Sequence, residues 1–387
     1  MTGVAERVPV EGRLEVREVS RRAFVEFYLT GTPATEGDAS EAGALFAQAA
    51  AVLARRSIQP IQEKIYGRML AREKVLSLRA HARSQHGLDP GVPVTWIEGA
   101  SPSGGAFAGF QIWGITPRGH GGVVETVGDG VSRGRTFEVP GLRGLYLPCV
   151  RGTTSDGDLP AERVEQAQRM FANASAALAA QGFAYRDVAR TWIYFPRILD
   201  WYDEFNRVRT AHYAGDDLGG PSCASVFPAS TGIQGRCGDE ECFMDVLAVQ
   251  AKSRARVRLI SQTRRQGSAF CYGSAFSRGA AIEYEGGCTV HVSGTASIDA
   301  AGRTLHAGDP EGQSLETLLN VGAVLEEEGR DLSDVCSSTV FCKDPASFEA
   351  FQRVTRLLGI PSLPAIHVLA DVCRPELLIE IEAVAAI

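Results

Sequence analysis

The chain contains an internal repeat, and that repeat restricts the folds open to it. Residues 165–195, "EQAQRMFANASAALAAQGFAYRDVARTWIYF", match residues 312–342, "GQSLETLLNVGAVLEEEGRDLSDVCSSTVFC". Gln166, Asn173, Leu178, Gly182 and Asp187-Val188 recur as Gln313, Asn320, Leu325, Gly329 and Asp334-Val335, each 147 positions on. After one deletion, "FNRV" at 205–208 returns as "FQRV" at 351–354. A chain of 387 residues exceeds what a single core usually organises, and tandem copies of one unit account for the excess.

The local pattern within one copy is mixed. Residues 162–181 place apolar side chains at helical spacing and stop at Gly182, a helix C-cap. "VARTWIYF" follows, rich in β-branched and aromatic residues, and reads as a strand. "LDWYDEFNRVRTAHYA" is a second amphipathic helix, and "PSCASVFPAS" and "CFMDVLAVQA" are further strands. "GLYLPCVRGTT" precedes the first helix as a strand. The later copy repeats this order with "TVHVSGTASI", "SSTVFC", "AIHVLADV" and "LLIEIEAV" as its strands. Each copy is therefore an α+β unit, a sheet led by a β-hairpin with two helices on one face.

The N-terminal third suggests a worn third copy. "FVEFYLTGTP", "VPVTWIEGA" and "GFQIWGI" read as strands, and "EAGALFAQAAAVLARR" and "GRMLAREKVLSLRAHARSQHG" as helices. No single register aligns it with the other two. The expected units are 1–125, 126–258 and 259–387. "RGHGGVVETVGDGVSRGR", 118–135, reads as a linker or mobile loop. The Gly-rich "SPSGGAFAG" at 101–109 lacks the residues of a phosphate loop and reads as a plain loop.

Several function classes fall away. A net charge of −7 gives no basic footprint for nucleic acid. No apolar run reaches the roughly 18 residues of a membrane span, and the N-terminus lacks the apolar core of a signal peptide. These features lead us to expect a cytoplasmic protein. The nine cysteines are scattered; "CGDEEC" at 237–242 has neither a second pair nor a histidine beside it, so metal and disulfides are not expected. The histidines are isolated, and His291 and His367 sit in strands as core residues. No cofactor motif of the Rossmann or P-loop kind is present.

"VSGTAS", the block running from Gln to Asp-Val, and the C-terminal "EIEAVA" resemble the Rid family (reactive intermediate deaminases), small chorismate-mutase-like α+β units that trimerise with active sites between subunits. Tandem copies on one chain then imply a pseudo-trimer, monomeric or weakly oligomeric. "RTWIYFPRILDWYDEFNRVRT", "PASTGIQGR", "YGSAFSRG" and "CRPELLIEIEAV" resemble the chorismatases more closely, across about residues 140–387. That resemblance implies a cofactor-free enzyme that cleaves the enolpyruvyl ether of chorismate to pyruvate and 3-hydroxybenzoate or a dihydroxycyclohexadiene carboxylate. One feature departs from Rid deaminases, which carry an arginine after Pro-Ala. Here "LPAIHVLADVC" has Ile366 at that place. An imine or enamine deaminase is therefore the alternative rather than the first reading. Action on an amino-substituted chorismate analogue and non-catalytic binding of a small carboxylate are further rivals.

Alternation along the last strand puts Leu377, Ile379, Ile381 and Ala383 on one face and Glu380 and Glu382 on the other. Glu382 reads as an ion pair or solvated acid. Glu380 aligns with the acid of the resembled families, whereas the middle unit offers Met244 there, so a single active site is expected. A carboxylic acid kept protonated by burial is a suitable donor to an enol ether carbon. The two carboxylates of chorismate call for arginine forks. Arg190, Arg207, Arg209, Arg278 and Arg374 are the candidates; Arg190, Arg209 and Arg278 are preferred, with Arg207 and Arg197 read as surface residues. Tyr194 shares a strand face with Arg190 and is placed with the substrate-binding group. The resemblance gives Cys373 the role of a wall that steers the product towards 3-hydroxybenzoate, and Gly286 that of a small neighbour giving the ring room.

Overall fold

A computed structural model describes all residues except 1–5, 9–13, 35–37, 120–121, 129–132, 217, 219–225, 253–254, 361 and 387. It contains three sheets of six strands each. The first sheet is built from β1 (Glu6–Val8), β2 (Leu14–Ser20), β3 (Phe24–Gly31), β4 (Gln59–Gly67), β5 (Thr95–Glu98) and β6 (Phe107–Pro117), with helices α1 (Ala39–Arg55) and α2 (Arg72–Gln85). The second comprises β7 (Val123–Val127), β8 (Gly134–Val139), β9 (Leu142–Arg151), β10 (Val188–Phe195), β11 (Ala229–Gln234) and β12 (Phe243–Ala251), with α3 (Arg163–Ala180) and α4 (Tyr202–Gly215). The third comprises β13 (Arg256–Ile260), β14 (Gly279–Tyr284), β15 (Gly287–Ala296), β16 (Val335–Cys342), β17 (Ala365–Leu369) and β18 (Ile379–Ala386), with α5 (Pro310–Glu326) and α6 (Pro345–Leu357). Strand order is the same in all three, and in each the last edge pair (β4/β5, β10/β11, β16/β17) is parallel. The protein is thus an α+β pseudo-trimer whose N-terminal third is a third unit. The segment read as a linker is instead largely the β7/β8 hairpin, with 120–121 and 129–132 outside the described residues. Much of the strand expected at 221–230 also lies outside them, and β11 begins at Ala229.

The repeated residues do the same physical work in both copies. Gly182 and Gly329 follow α3 and α5 at φ +74° and +65°, a left-handed geometry that a side chain resists. The Asn173 amide donates to the carbonyls of Arg151 and Thr153 at the end of β9; Asn320 donates to those of Ala296 and Ile298 at the end of β15. Gln166 accepts from the Glu241 amide ahead of β12, and Gln313 from the Leu378 amide ahead of β18. Asp187 and Asp334 each accept from a backbone amide three residues back. Buried or half-buried backbone groups at strand ends need such partners, and these positions supply them.

The outer faces of the second and third sheets pack under their own helices. On β18, Ile379, Ile381, Ala383 and Ala385 belong to the core beneath α5 and α6. Fully burying each isoleucine contributes about 2–3 kcal/mol. A one-residue slip would drive Glu380 and Glu382 into that layer, so the register is firmly set. The inner faces of the three sheets meet in a shared core with the first unit. There the edge strands are tied in a cycle: Glu98 donates its amide to the Arg236 carbonyl, Gln234 to Asp371, and Leu369 to Ala100. The same two positions of each unit are used, which is the signature of a pseudo-threefold axis.

Candidate active site

Equivalent places in the three units follow from strand pairing. Opposite Tyr66, Tyr194 and Phe341 stand Gly109, Phe243 and Glu380. The residue matching Glu380 in the middle unit is therefore Phe243, and the Met244 expected there points the other way, into the core under α3 and α4. Adjacent strand residues face opposite sides, so an offset of one exchanges a cleft residue for a core residue. At the first unit's place, Gly109 adopts φ +139° and lies against Ile366. Of the three positions only that of Glu380 holds an acid.

Glu380 lines a cleft of about 700 Å³ between the second and third units. One wall is α4 and β11, with Tyr202, Asn206, Arg209, Ser230 and Gly232; the other is β15, β18 and the Cys373-Arg374 segment. Phe270, Tyr272, Phe276 and Arg278 cover it from the loop before β14. Glu380 is 4% exposed. Burial pushes its carboxyl up to about 8; the nearby Glu382 adds to this and Arg190 opposes it. It has no hydrogen-bond or ion-pair partner among the described residues. Gly294 sits where β15 bulges against β18, and a Cβ there would overlap the Glu380 carboxyl. The missing side chain gives the acid its space.

Three guanidinium groups stand in the cleft. Arg209, nearly fully buried, bonds Asn206 at 2.5 Å, and its Nε has no partner among the described residues. Arg278 donates to the Gly267 carbonyl and to the Tyr272 hydroxyl at 2.6 Å. Both flank the Phe276 ring, at 5.8 and 5.4 Å. Arg374 lies over Tyr272 and bonds the Gly302 carbonyl. Arg207 is exposed at the rim. The site is a cationic, partly aromatic cleft with one neutral acid at its end, suited to a planar anion that must accept a proton.

The model of the family described as Endoribonuclease L-PSP matches residues 274–387. A chorismatase of Streptomyces hygroscopicus is 28% identical over 240 residues, covering 56% of this chain and 68% of its own. A RutC family protein of Pyrococcus abyssi is 35% identical over 98 residues, covering 25% of this chain and 76% of its own. A crystal structure of chorismatase superposes with a TM-score of 0.61 over 95% of this chain and 100% of that one, at 19% identity. The chain belongs to the RutC family, and it is similar to chorismatases in sequence over 56% of its length and in fold over 95%.

In this family member the expected site residues divide into two groups. Glu380, Cys373, Arg209 and Arg278 come together in the cleft. The Cys373 thiol is raised to about 12 by burial and by Glu380, so it remains protonated beside the acid. The other three lie elsewhere. Arg190 is behind the cleft, bonded to Thr231 at 2.5 Å and to Glu382 at 3.0 Å. Its charge is committed to Glu382, which also accepts from Thr231 at 2.6 Å and meets Lys64 of the first unit at 3.8 Å. Tyr194 shares that inner face but stacks on Phe243 at 4.9 Å, away from the cleft. Gly286 occupies the β14/β15 turn at φ +97° with open space around it. It meets the demand of a tight turn and touches no site residue.

Ile366 belongs to the seam between the third and first units, against Gly109, and not to the cleft of Glu380. The strand presented to Glu380 is β11 of the middle unit, where Ser230 and Gly232 line the cleft and no arginine stands. Asn206, Tyr202, Tyr272 and Phe276 escaped the sequence reading. Asn206 and Tyr202 lay within the helical pattern around Arg209 and were legible as neighbours one turn apart; Tyr272 and Phe276 sit in a loop without periodicity. Of the described cysteines seven are free, whereas Cys271 beside Tyr272 is disulfide-bonded, contrary to expectation. Cys223 lies outside the described residues. Among the described residues no helix is long and apolar enough to cross a membrane.

Proposed function

We propose that this protein is a chorismatase. Glu380, neutral up to about pH 8, donates its proton to the methylene carbon of the enolpyruvyl group, and the ether carbon becomes an oxocarbenium ion. Water captured there gives a hemiketal that collapses to pyruvate and a ring diol. Capture by the neighbouring ring hydroxyl instead leads to pyruvate and 3-hydroxybenzoate with no net uptake of water. Arg209 and Arg278 hold the two carboxylates, with Arg374 at the far wall. Cys373, a neutral thiol beside Glu380, narrows the space around the ring and favours the aromatic product. Proton transfer of this kind contributes roughly 10²–10⁴-fold, and positioning and electrostatics contribute the remainder.

The observation that carries this reading is the pairing of one buried neutral acid with several guanidiniums in a single cleft. Deamination ranks second, because β11 offers Ser230 where a carboxylate-binding arginine would be needed. The purified protein should release pyruvate from chorismate in equal amount to a ring product that co-elutes with 3-hydroxybenzoate. Glu380→Gln should lose about 10²–10⁴-fold in kcat while retaining chorismate binding. Pyruvate release unchanged by that substitution would remove Glu380 from the mechanism. No pyruvate at all, with ammonia released from an imine, would favour the deaminase.

A further inference from the structure

A second cluster of reactive side chains lies outside the cleft. Cys149 and Cys237 stand with their sulfurs 3.5 Å apart, and Arg151 Nη2 is 3.2 Å from the Cys237 sulfur. Glu240 faces Arg151 at 3.6 Å and accepts from the Cys237 amide. The two cysteines come from different parts of the second sheet. Cys149 sits where β9 bulges against β12, at φ +52°, with its amide fixed by the Asp245 carboxyl at 2.7 Å. Cys237 lies in the turn between β11 and β12. A non-glycine residue at positive φ is held there by its surroundings, so the Cys149 thiol is kept aimed at its partner.

The pair is asymmetric. Cys149 donates its S–H to Cys237 and Arg151 donates a guanidinium N–H. These donors, the thiol first, hold the Cys237 thiol below the ordinary range against burial, and Cys149 is pushed up. Cys242, Cys288, Cys336, Cys342 and Cys373 are all raised by burial. Cys237 is buried, but Cys149 is partly exposed, so a small oxidant has a route past it.

We infer that Cys149 and Cys237 form a thiol oxidation site for small hydroperoxides, with Cys237 the attacking sulfur and Cys149 the resolving one. The Cys237 thiolate attacks one oxygen of hydrogen peroxide; the O–O bond breaks, sulfur is oxidised to sulfenic acid, and hydroxide leaves as water after taking a proton. The Cys149 thiolate then attacks the Cys237 sulfur and expels the second oxygen, again as water. Two thiols and one peroxide give one disulfide and two waters. The sulfurs must close from 3.5 Å to about 2 Å, which tethers the β9 bulge to the turn ahead of β12.

The test treats the full chain with substoichiometric hydrogen peroxide, quenches in acid with an alkylating agent, and maps peptides without reduction. The expected result is a peptide joining Cys149 to Cys237, reversed by dithiothreitol. In Cys149→Ser, Cys237 should accumulate as a dimedone-trapped sulfenic acid, about tenfold or more faster than the other free cysteines. In Arg151→Met that lead should shrink. Oxidation spread evenly over the free cysteines, or Cys149 joined to a cysteine other than Cys237 in the wild type, would overturn the assignment. None of these residues lines the cleft of Glu380, so the outcome is independent of the chorismatase reading.

Discussion

Glu380 and Glu382 point to the same face of β18, yet only Glu382 has cationic partners, Arg190 at 3.0 Å and Lys64 at 3.8 Å. Two carboxyl groups two residues apart thus live in opposed environments. One is fixed by ion pairs from both sister units. The other is buried without an ionic partner among the described residues, beside the first's negative charge, where its neutral form is favoured.

The acid should have a pH signature. The folded value of Glu380 lies above its unfolded value of 4.5, so the fold binds its proton more tightly than the unfolded chain does. The stability it contributes is complete below pH 4.5 and is lost as pH rises through about 8. Denaturant midpoints of the wild type should fall between pH 6 and 9 more than those of Glu380→Gln. In the same range kcat should drop along a single ionisation near 8, since the deprotonated acid has no proton to give. A flat kcat profile to pH 9.5 would contradict the assignment.

Gly294→Ala should injure catalysis more than folding. The new methyl group meets the Glu380 carboxyl, which must turn away from the cleft. Displacement on the order of 1 Å can cost about 10²-fold. A kcat loss near that size, with a thermal midpoint shifted by only a few degrees, is the expected pattern in steady-state kinetics and calorimetry.

Arg190 and Arg209 should separate cleanly. Arg190→Met leaves the buried Glu382 without its main partner and should cost about 3–5 kcal/mol of stability. Arg209→Met should instead raise KM for the dianion with modest loss of stability. Arg209→Lys should not restore binding, because an ammonium lacks the planar fork. Equal KM effects from both positions would return Arg190 to the substrate site.

The amide that fastens β15 should matter to the fold. Asn320→Ala leaves the carbonyls of Ala296 and Ile298 without that donor and should cost about 1–3 kcal/mol. Urea denaturation of the variant measures it.

The fold was legible in the sequence wherever backbone geometry demanded a specific residue. Gly182 and Gly329, Asn173 and Asn320, and Gln166 and Gln313 recur because each meets a fixed backbone need, and so the repeat itself revealed the units. The first unit lacks that set of matches, and its β4, with "QPIQEKIYG", was missed because it alternates weakly and contains Pro60. Resemblance and alternation point to Glu380, Cys373, Arg209 and Arg278, and these four share one cleft. Arg190 and Tyr194 lie outside that cleft, because strand alternation gives a face and not which seam that face adjoins. The offset from Met244 to Phe243 arose because the segment between β11 and β12 is shorter than the one between β17 and β18, which a linear alignment does not resolve.

The cycle of amide bonds joining Glu98 to Arg236, Gln234 to Asp371 and Leu369 to Ala100 has a genetic corollary. In an assembly of identical subunits every substitution is imposed three times over. Joined in one polypeptide, the three seats can be edited one by one, and here they hold glycine, phenylalanine and glutamate. Two of the seats carry no ionisable group and one carries an acid, so threefold symmetry of backbone persists here without threefold symmetry of chemistry.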